Sequence, residues 1–234
     1  MNISLHYTEY GKGRPLILLH GNGEDGAYFS GQIPFFSERY RVIVPDTRGH
    51  GASPRGTAPF SIAQFAEDLY AFMDRLSLSQ ADILGFSDGG NIALTFALKY
   101  PHRVGRLILN GANLNPRGVK ARFQIPIIWG WKIARFFAKK SPAAARNAEM
   151  LKLMVCEPQI DPLELHSLTF PVLVIAGTKD MIKESHTRLI AESLPNSQMA
   201  FIRGDHFIAN KVPDEFNRIV AGFLSGTEKN QIDR

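Results

Sequence analysis

The segment that most constrains this chain is an apolar run, Ala81-Asp82-Ile83-Leu84-Gly85-Phe86, that leads through Gly85-Phe86-Ser87-Asp88-Gly89 into a helix-like stretch beginning at Asn91. A serine on a sharp turn between a strand and a helix is held in a strained backbone conformation with its hydroxyl exposed. Side chains at positions 85 and 89 would collide with such a turn, which accounts for the two glycines. The helix start behind the serine offers unpaired N–H groups and a positive dipole end, both suited to a developing oxyanion. Gly-x-Ser-x-Gly by itself is a common pattern. Its placement between strand and helix is what makes Ser87 a candidate nucleophile.

The rest of the chain supplies the layers such a turn requires. Apolar runs at 3–10, 15–20, 41–46, 81–86, 106–111, 171–177 and 198–204 read as strands. Most lack polar alternation, as expected of a sheet covered on both faces. Helical periodicity falls between them, at 61–76, 91–100, 183–194 and 213–224. Strands alternating with helices predict a doubly wound, mostly parallel α/β sheet. The 234 residues and 44% hydrophobic content suit one such domain with an insertion.

That insertion is visible as a break in the alternation. About 55 residues separate the strand ending near Asn110 from the one starting near Pro171, too many for a structureless loop. The predicted organisation is a core from 1–112 and 169–225, a small helical lid from 113–168, and a polar tail from 226–234. Between Asn113 and Lys152 there are nine basic residues against one acid, Glu149, a net of +8 in a chain whose total is +5, so the remainder carries −3. Basicity confined to one segment argues against nucleic-acid binding as the chain's role. The stretch from Phe123 to Lys140 mixes aromatic, aliphatic and basic residues. It reads as a lid whose apolar face covers a pocket and whose charges face water, with Pro126 and Gly130 interrupting a long helix. The competing reading is an amphipathic basic helix on a lipid surface.

A single cysteine, Cys156, forms no intrachain disulfide and has the context of a small hydrophobe. The N-terminus shows no basic region followed by an apolar one, so no signal peptide is expected. No apolar run approaches the ~18 residues of a membrane span. Stable membrane insertion is not expected, and a cytoplasmic location is.

Ser87 needs a base, and the base needs an orienting carboxylate. Of seven histidines, His206 stands just after the last strand in Arg203-Gly204-Asp205-His206-Phe207. Loops at the carboxyl edge of a parallel sheet are where sites form. Asp180, after the strand at 171–177, is the preferred carboxylate on the order Ser, Asp, His. Its other possible role is to cap a helix near Met181. Asp205 is adjacent to His206 and would face elsewhere, and Asp46 suits loop bracing. The oxyanion hole is expected from the amides of Asp88 and of Asn22, in His20-Gly21-Asn22-Gly23. The side chains of Asp88, Trp129 and Phe207 are candidate substrate contacts. No metal-ligand spacing and no phosphate-binding glycine loop is present, so neither metal nor cofactor is expected.

These pieces carry a resemblance. The His20-Gly21 loop, Asp46-Thr47-Arg48-Gly49-His50-Gly51-Ala52-Ser53, the elbow at 85–90, Tyr100-Pro101-His102-Arg103-Val104, Ala176-Gly177-Thr178-Lys179-Asp180 and Gly204-Asp205-His206 together resemble the α/β-hydrolase fold over nearly the whole chain. The resemblance implies an eight-stranded sheet with a helical cap after the sixth strand. The elbow with Asn110-Gly111-Ala112-Asn113 is similar to the biphenyl-hydrolase-like (valacyclovirase) group, where the acid after the serine helps recognise the amino group of α-amino-acid esters. A serine at 87 argues against the dehalogenase and epoxide-hydrolase branches, which use Asp there.

The expected activity is hydrolysis of a small-molecule carboxylic ester through an acyl-enzyme. The same three residues also serve thioesters, C–C bond hydrolysis and cofactor-free perhydrolysis. A hydrolase-fold binding protein without turnover would be expected to have lost one of the three, and none is lost.

Overall fold

A computed structural model describes residues 3–226. Of the polar tail, only Gly226 lies within the described residues. The strands are β1 (Tyr7–Tyr10), β2 (Arg14–Leu19), β3 (Tyr40–Pro45), β4 (Ala81–Phe86), β5 (Val104–Asn110), β6 (Val172–Gly177) and β7 (Ser197–Ile202). The helices are α1 (Ile33–Phe36), α2 (Ile62–Arg75), α3 (Asp88–Lys99), α4 (Ala121–Phe137), α5 (Pro142–Cys156), α6 (Glu184–Glu192), α7 (Ile208–Lys211) and α8 (Pro213–Ser225).

The strands form one sheet in the order β1-β3-β2-β4-β5-β6-β7. β1 is antiparallel to β3, and every other pairing is parallel. Alternate residues of each central strand serve opposite faces. Ile17, Leu19, Ile83, Leu107, Leu109 and Val174 pack under α2, α3 and α6. Leu16, Leu18, Leu84, Phe86, Ile108 and Leu173 pack with Phe36 of α1 and Phe216 and Val220 of α8. Both faces are therefore dry, which explains the continuous apolar runs. Ser61 starts α2 by accepting the Gln64 amide, and Ile62, Phe65, Leu69, Phe72 and Met73 form its buried stripe.

The sheet corrects the resemblance in one respect. It has seven strands among the described residues, not eight, and α4 and α5 follow the fifth strand rather than the sixth. Each of the seven apolar runs became a strand, and there is no further run to form an eighth.

The inserted segment departs from its expected form. α4 is an unbroken helix of 17 residues that passes through both Pro126 and Gly130. It has no buried residue, so the Arg122 carbonyl freed by Pro126 can be met by water. Gly130 faces α5, where a Cβ would sit 3.5 Å from Leu151 Cδ1, an ordinary contact. Instead of lying under the helix over a pocket, large apolar side chains of α4 are exposed, from Phe123 to Phe137. No helix among the described residues is long and apolar enough to cross a membrane.

Candidate active site

The site lies where β2, β4, β5, β6 and β7 end. Ser87 joins β4 to α3 with φ 53° and ψ −119°, a positive φ that a non-glycine residue rarely takes. The turn is held by close packing. A Cβ at Gly85 would lie 2.3 Å from the Gly89 carbonyl oxygen, and one at Gly89 only 2.1 Å from that of Leu19. The second approach pulls the start of α3 against the end of β2, which brings the loop at 20–23 alongside Ser87. The Ser87 amide is spent on the Asn110 carbonyl at 2.8 Å. The Asp88 amide, first in α3, has no intrahelical acceptor.

His206 Nε2 sits 2.9 Å from Ser87 Oγ, and its Nδ1 sits 2.7 Å from Asp180 Oδ1. Both His206 and Asp180 are buried. Asp180 also accepts the Ile182 amide at 2.9 Å and the Gly177 amide at 3.3 Å, so its carboxylate is fixed from two further directions. It does not cap α6, whose first residue is Glu184 and whose cap position is Lys183. Asp205 turns away: it accepts the Phe207 amide and pairs with Lys211, which holds its carboxyl below the usual range. Asp46 binds the Gly26 and Ala52 amides and His6, and so ties loops together.

The loop after β2 is braced by contacts that the sequence does not show. His20 Nδ1 donates to the Gly21 carbonyl at 2.8 Å, and its Nε2 accepts the Thr47 amide at 3.0 Å. That pairing suits a neutral ring, and burial pushes the His20 pKa down to about 4. The Asn22 side chain donates to the Met150 carbonyl at 2.8 Å, which ties the loop to α5. A cleft of about 330 Å³ opens there, lined by Asn22, Gly23, Asn147, Met150, Leu151 and Met154. Gly111, at φ 63°, lies so close to His206 that a Cβ would be 2.7 Å from its Cε1. The sequence signal was a glycine directly after a strand, at a carboxyl end that carries the site.

The candidate substrate contacts fare differently. Phe207 is 40% exposed, with its ring 5.6 Å from His206 and 5.7 Å from Phe86. Asp88 is buried; one oxygen accepts from Asn91 Nδ2 at 3.0 Å, and the other has no partner. Burial pushes its pKa up to about 6, against the opposing pull of Asn91. Trp129 is 60% exposed on α4 beneath the Lys132 ammonium, and it makes no ring contact with His206.

A family model described as alpha/beta hydrolase fold matches residues 14–132, about half the chain and inclusive of the Ser87 elbow. The chain belongs to the α/β-hydrolase-fold family. Within this family it is similar to a Caulobacter sp. (strain K31) protein provisionally named carbamate hydrolase RutD, at 32% identity covering 90% of each chain. It is also similar to 3-oxoadipate enol-lactonase 2 of Acinetobacter baylyi, at 28% identity over 95% of this chain and 94% of that one. Among solved structures it matches a meta-cleavage product hydrolase from Pseudomonas fluorescens IP01. The TM-score there is 0.79 at 25% identity, covering 97% of this chain and 96% of the other.

Proposed function

We propose that this α/β-hydrolase is a serine hydrolase that cleaves carboxylic esters of small molecules in the cytoplasm. The observation that carries the reading is the relay through one ring: His206 Nε2 at 2.9 Å from Ser87 Oγ, with Nδ1 at 2.7 Å from Asp180. Asp180 fixes the tautomer that leaves Nε2 free to take a proton and stabilises the imidazolium that results. Ser87 Oγ attacks the carbonyl carbon as its proton passes to Nε2. The amides of Asn22 and Asp88 receive the oxyanion. As the intermediate collapses, the ester C–O bond breaks and Nε2–H protonates the leaving alcohol. Water, deprotonated by the same nitrogen, then releases the acid and restores Ser87. Protein groups supply every step, without recourse to a metal or cofactor.

Support for an ester comes from the enol-lactonase relative, whose named substrate class contains an ester in a ring. Carbamates share the acyl chemistry, and the 32% identical relative carries that name. A matched panel of p-nitrophenyl acetate, a p-nitrophenyl carbamate and an acyl thioester separates them. The reading expects the largest kcat/KM on the ester, abolished in Ser87→Ala. A larger kcat/KM on the carbamate would move the substrate class while leaving the residue roles in place.

A further inference from the structure

The outer face of α4 is apolar where a water-facing helix should be polar. Ile125, Trp129, Ile133 and Phe136 recur at helical spacing and lie 53%, 60%, 58% and 78% exposed. At 3.6 residues per turn they form one stripe. The inward stripe is a different set, Gln124, Ile127, Ile128, Trp131 and Ala134, each only partly exposed. Four large exposed apolar side chains in a row are costly on a soluble chain and mark an interaction surface.

The charges around the stripe say what would cover it. Arg122 precedes it on the same face, Lys132 lies at its edge, and Lys139 and Lys140 follow it; all four are exposed. Lys132 Nζ stands 5.1 Å from the Trp129 ring centroid, so the cation and the ring share one surface. Arg146 and Lys152 on α5 are exposed as well, and Glu149, the acid of the segment, is engaged by Arg55. A second copy meeting this face would bring two sets of like charges together. Nucleic acid would leave the aliphatic side chains Ile125 and Ile133 without a partner. An anionic bilayer surface accepts both components: acyl chains take the stripe, headgroups take the ammonium and guanidinium groups, and Trp129 suits the boundary.

We propose that α4 docks this protein reversibly on anionic lipid surfaces, lying in the plane of the interface through the Ile125-Trp129-Ile133-Phe136 stripe and its flanking cations. The helix is peripheral and spans nothing. The proposal does not depend on the ester reading.

The chain contains an internal reporter, because its two tryptophans, Trp129 and Trp131, both lie in α4. Trp131→Phe leaves Trp129 as the sole tryptophan, which red-edge excitation selects over the tyrosines. On titration with phosphatidylglycerol-rich vesicles its emission should shift to the blue and be quenched by brominated acyl chains. The shift should reverse as salt rises to about 0.5 M, where surface charge is screened within a few ångströms. Pure phosphatidylcholine should give little of it. Ile133→Ser with Phe136→Ser should weaken partitioning at least about tenfold, with circular dichroism confirming the fold.

No shift with anionic vesicles would overturn the proposal, as would an equal shift with neutral ones. A shift that follows protein concentration without lipid, with a doubling of mass, would assign the face to a second copy instead. Binding of RNA without binding of vesicles would also overturn it.

Discussion

The carboxyl edge of the sheet and the inserted α4–α5 hairpin are built on opposite terms. At the sheet edge, His206, Asp180 and Asp88 are buried, and glycines stand where a Cβ would collide with backbone or with the histidine ring. In α4 no residue is buried, and in α5 only Leu153 is. The edge is over-determined, as a site must be if it is to hold groups in reacting geometry. The hairpin is held mainly through its own two helices and a few ties, such as Asn22 to Met150 and Arg55 to Glu149. The proposed chemistry thus falls in the tightly packed part, and the proposed lipid contact in the loosely held part.

Substitutions at the two places should differ in size and kind. The largest effect is expected at Asp180→Asn, which keeps the shape but loses the preferred histidine tautomer. Turnover should fall by about 10⁴-fold with the fold retained, as read by steady-state kinetics and circular dichroism. A variant within about tenfold of the parent would move the orienting role to another carboxylate. Next comes Asp68→Ala beneath the site. The Arg48–Asp68 pair is bidentate, at 2.6 and 2.7 Å, and essentially buried. Removing one partner should cost about 3–5 kcal/mol in urea unfolding, because a buried guanidinium loses its counter-charge.

Asp88 gives a smaller, pH-dependent effect. The folded chain keeps this carboxyl protonated up to about pH 6, whereas the ordinary value is 3.8. Between those values the native state binds more protons than the unfolded one, so this group's contribution falls as pH rises. Asp88→Asn should remove the loss and raise stability at pH 7 relative to pH 4 by up to about 3 kcal/mol. His20, with its pKa lowered to about 4, works in the opposite sense: its contribution is lost as pH falls from about 6.5 towards 4. It is common to both proteins and cancels in the difference. Parallel stability–pH curves would contradict the account. Least is expected in the hairpin: Phe136→Ser, at 78% exposure, should change unfolding free energy by under about 0.5 kcal/mol. A loss comparable to that of a core phenylalanine would mean the helix is packed after all.

The same contrast governs what could be read from sequence. Ser87 was legible because local pattern alone specifies a strand, a turn and a helix. His206 and Asp180 were legible because a parallel sheet puts all its strand ends on one edge. Gly111 was visible as a glycine directly after a strand, but its reason was not, because that reason is the His206 ring nearly a hundred positions away in the chain. His20 and Thr47 brace the loop through contacts between two strands' ends, which no local pattern shows. The continuous α4 was missed because Pro126 is costly in a helix by rule, while an exposed helix leaves the freed carbonyl to water. The exposed stripe on α4 was hidden too, since the helix is apolar on both sides and composition does not say which side is covered.

The account rests on Ser87 being a nucleophile activated by His206. Its most direct test is treatment of the intact protein with a fluorophosphonate probe, followed by peptide mass mapping. The account predicts a single covalent adduct on the peptide containing Ser87, absent in Ser87→Ala and strongly slowed in His206→Ala. No adduct, or one that persists unchanged in Ser87→Ala, would contradict it.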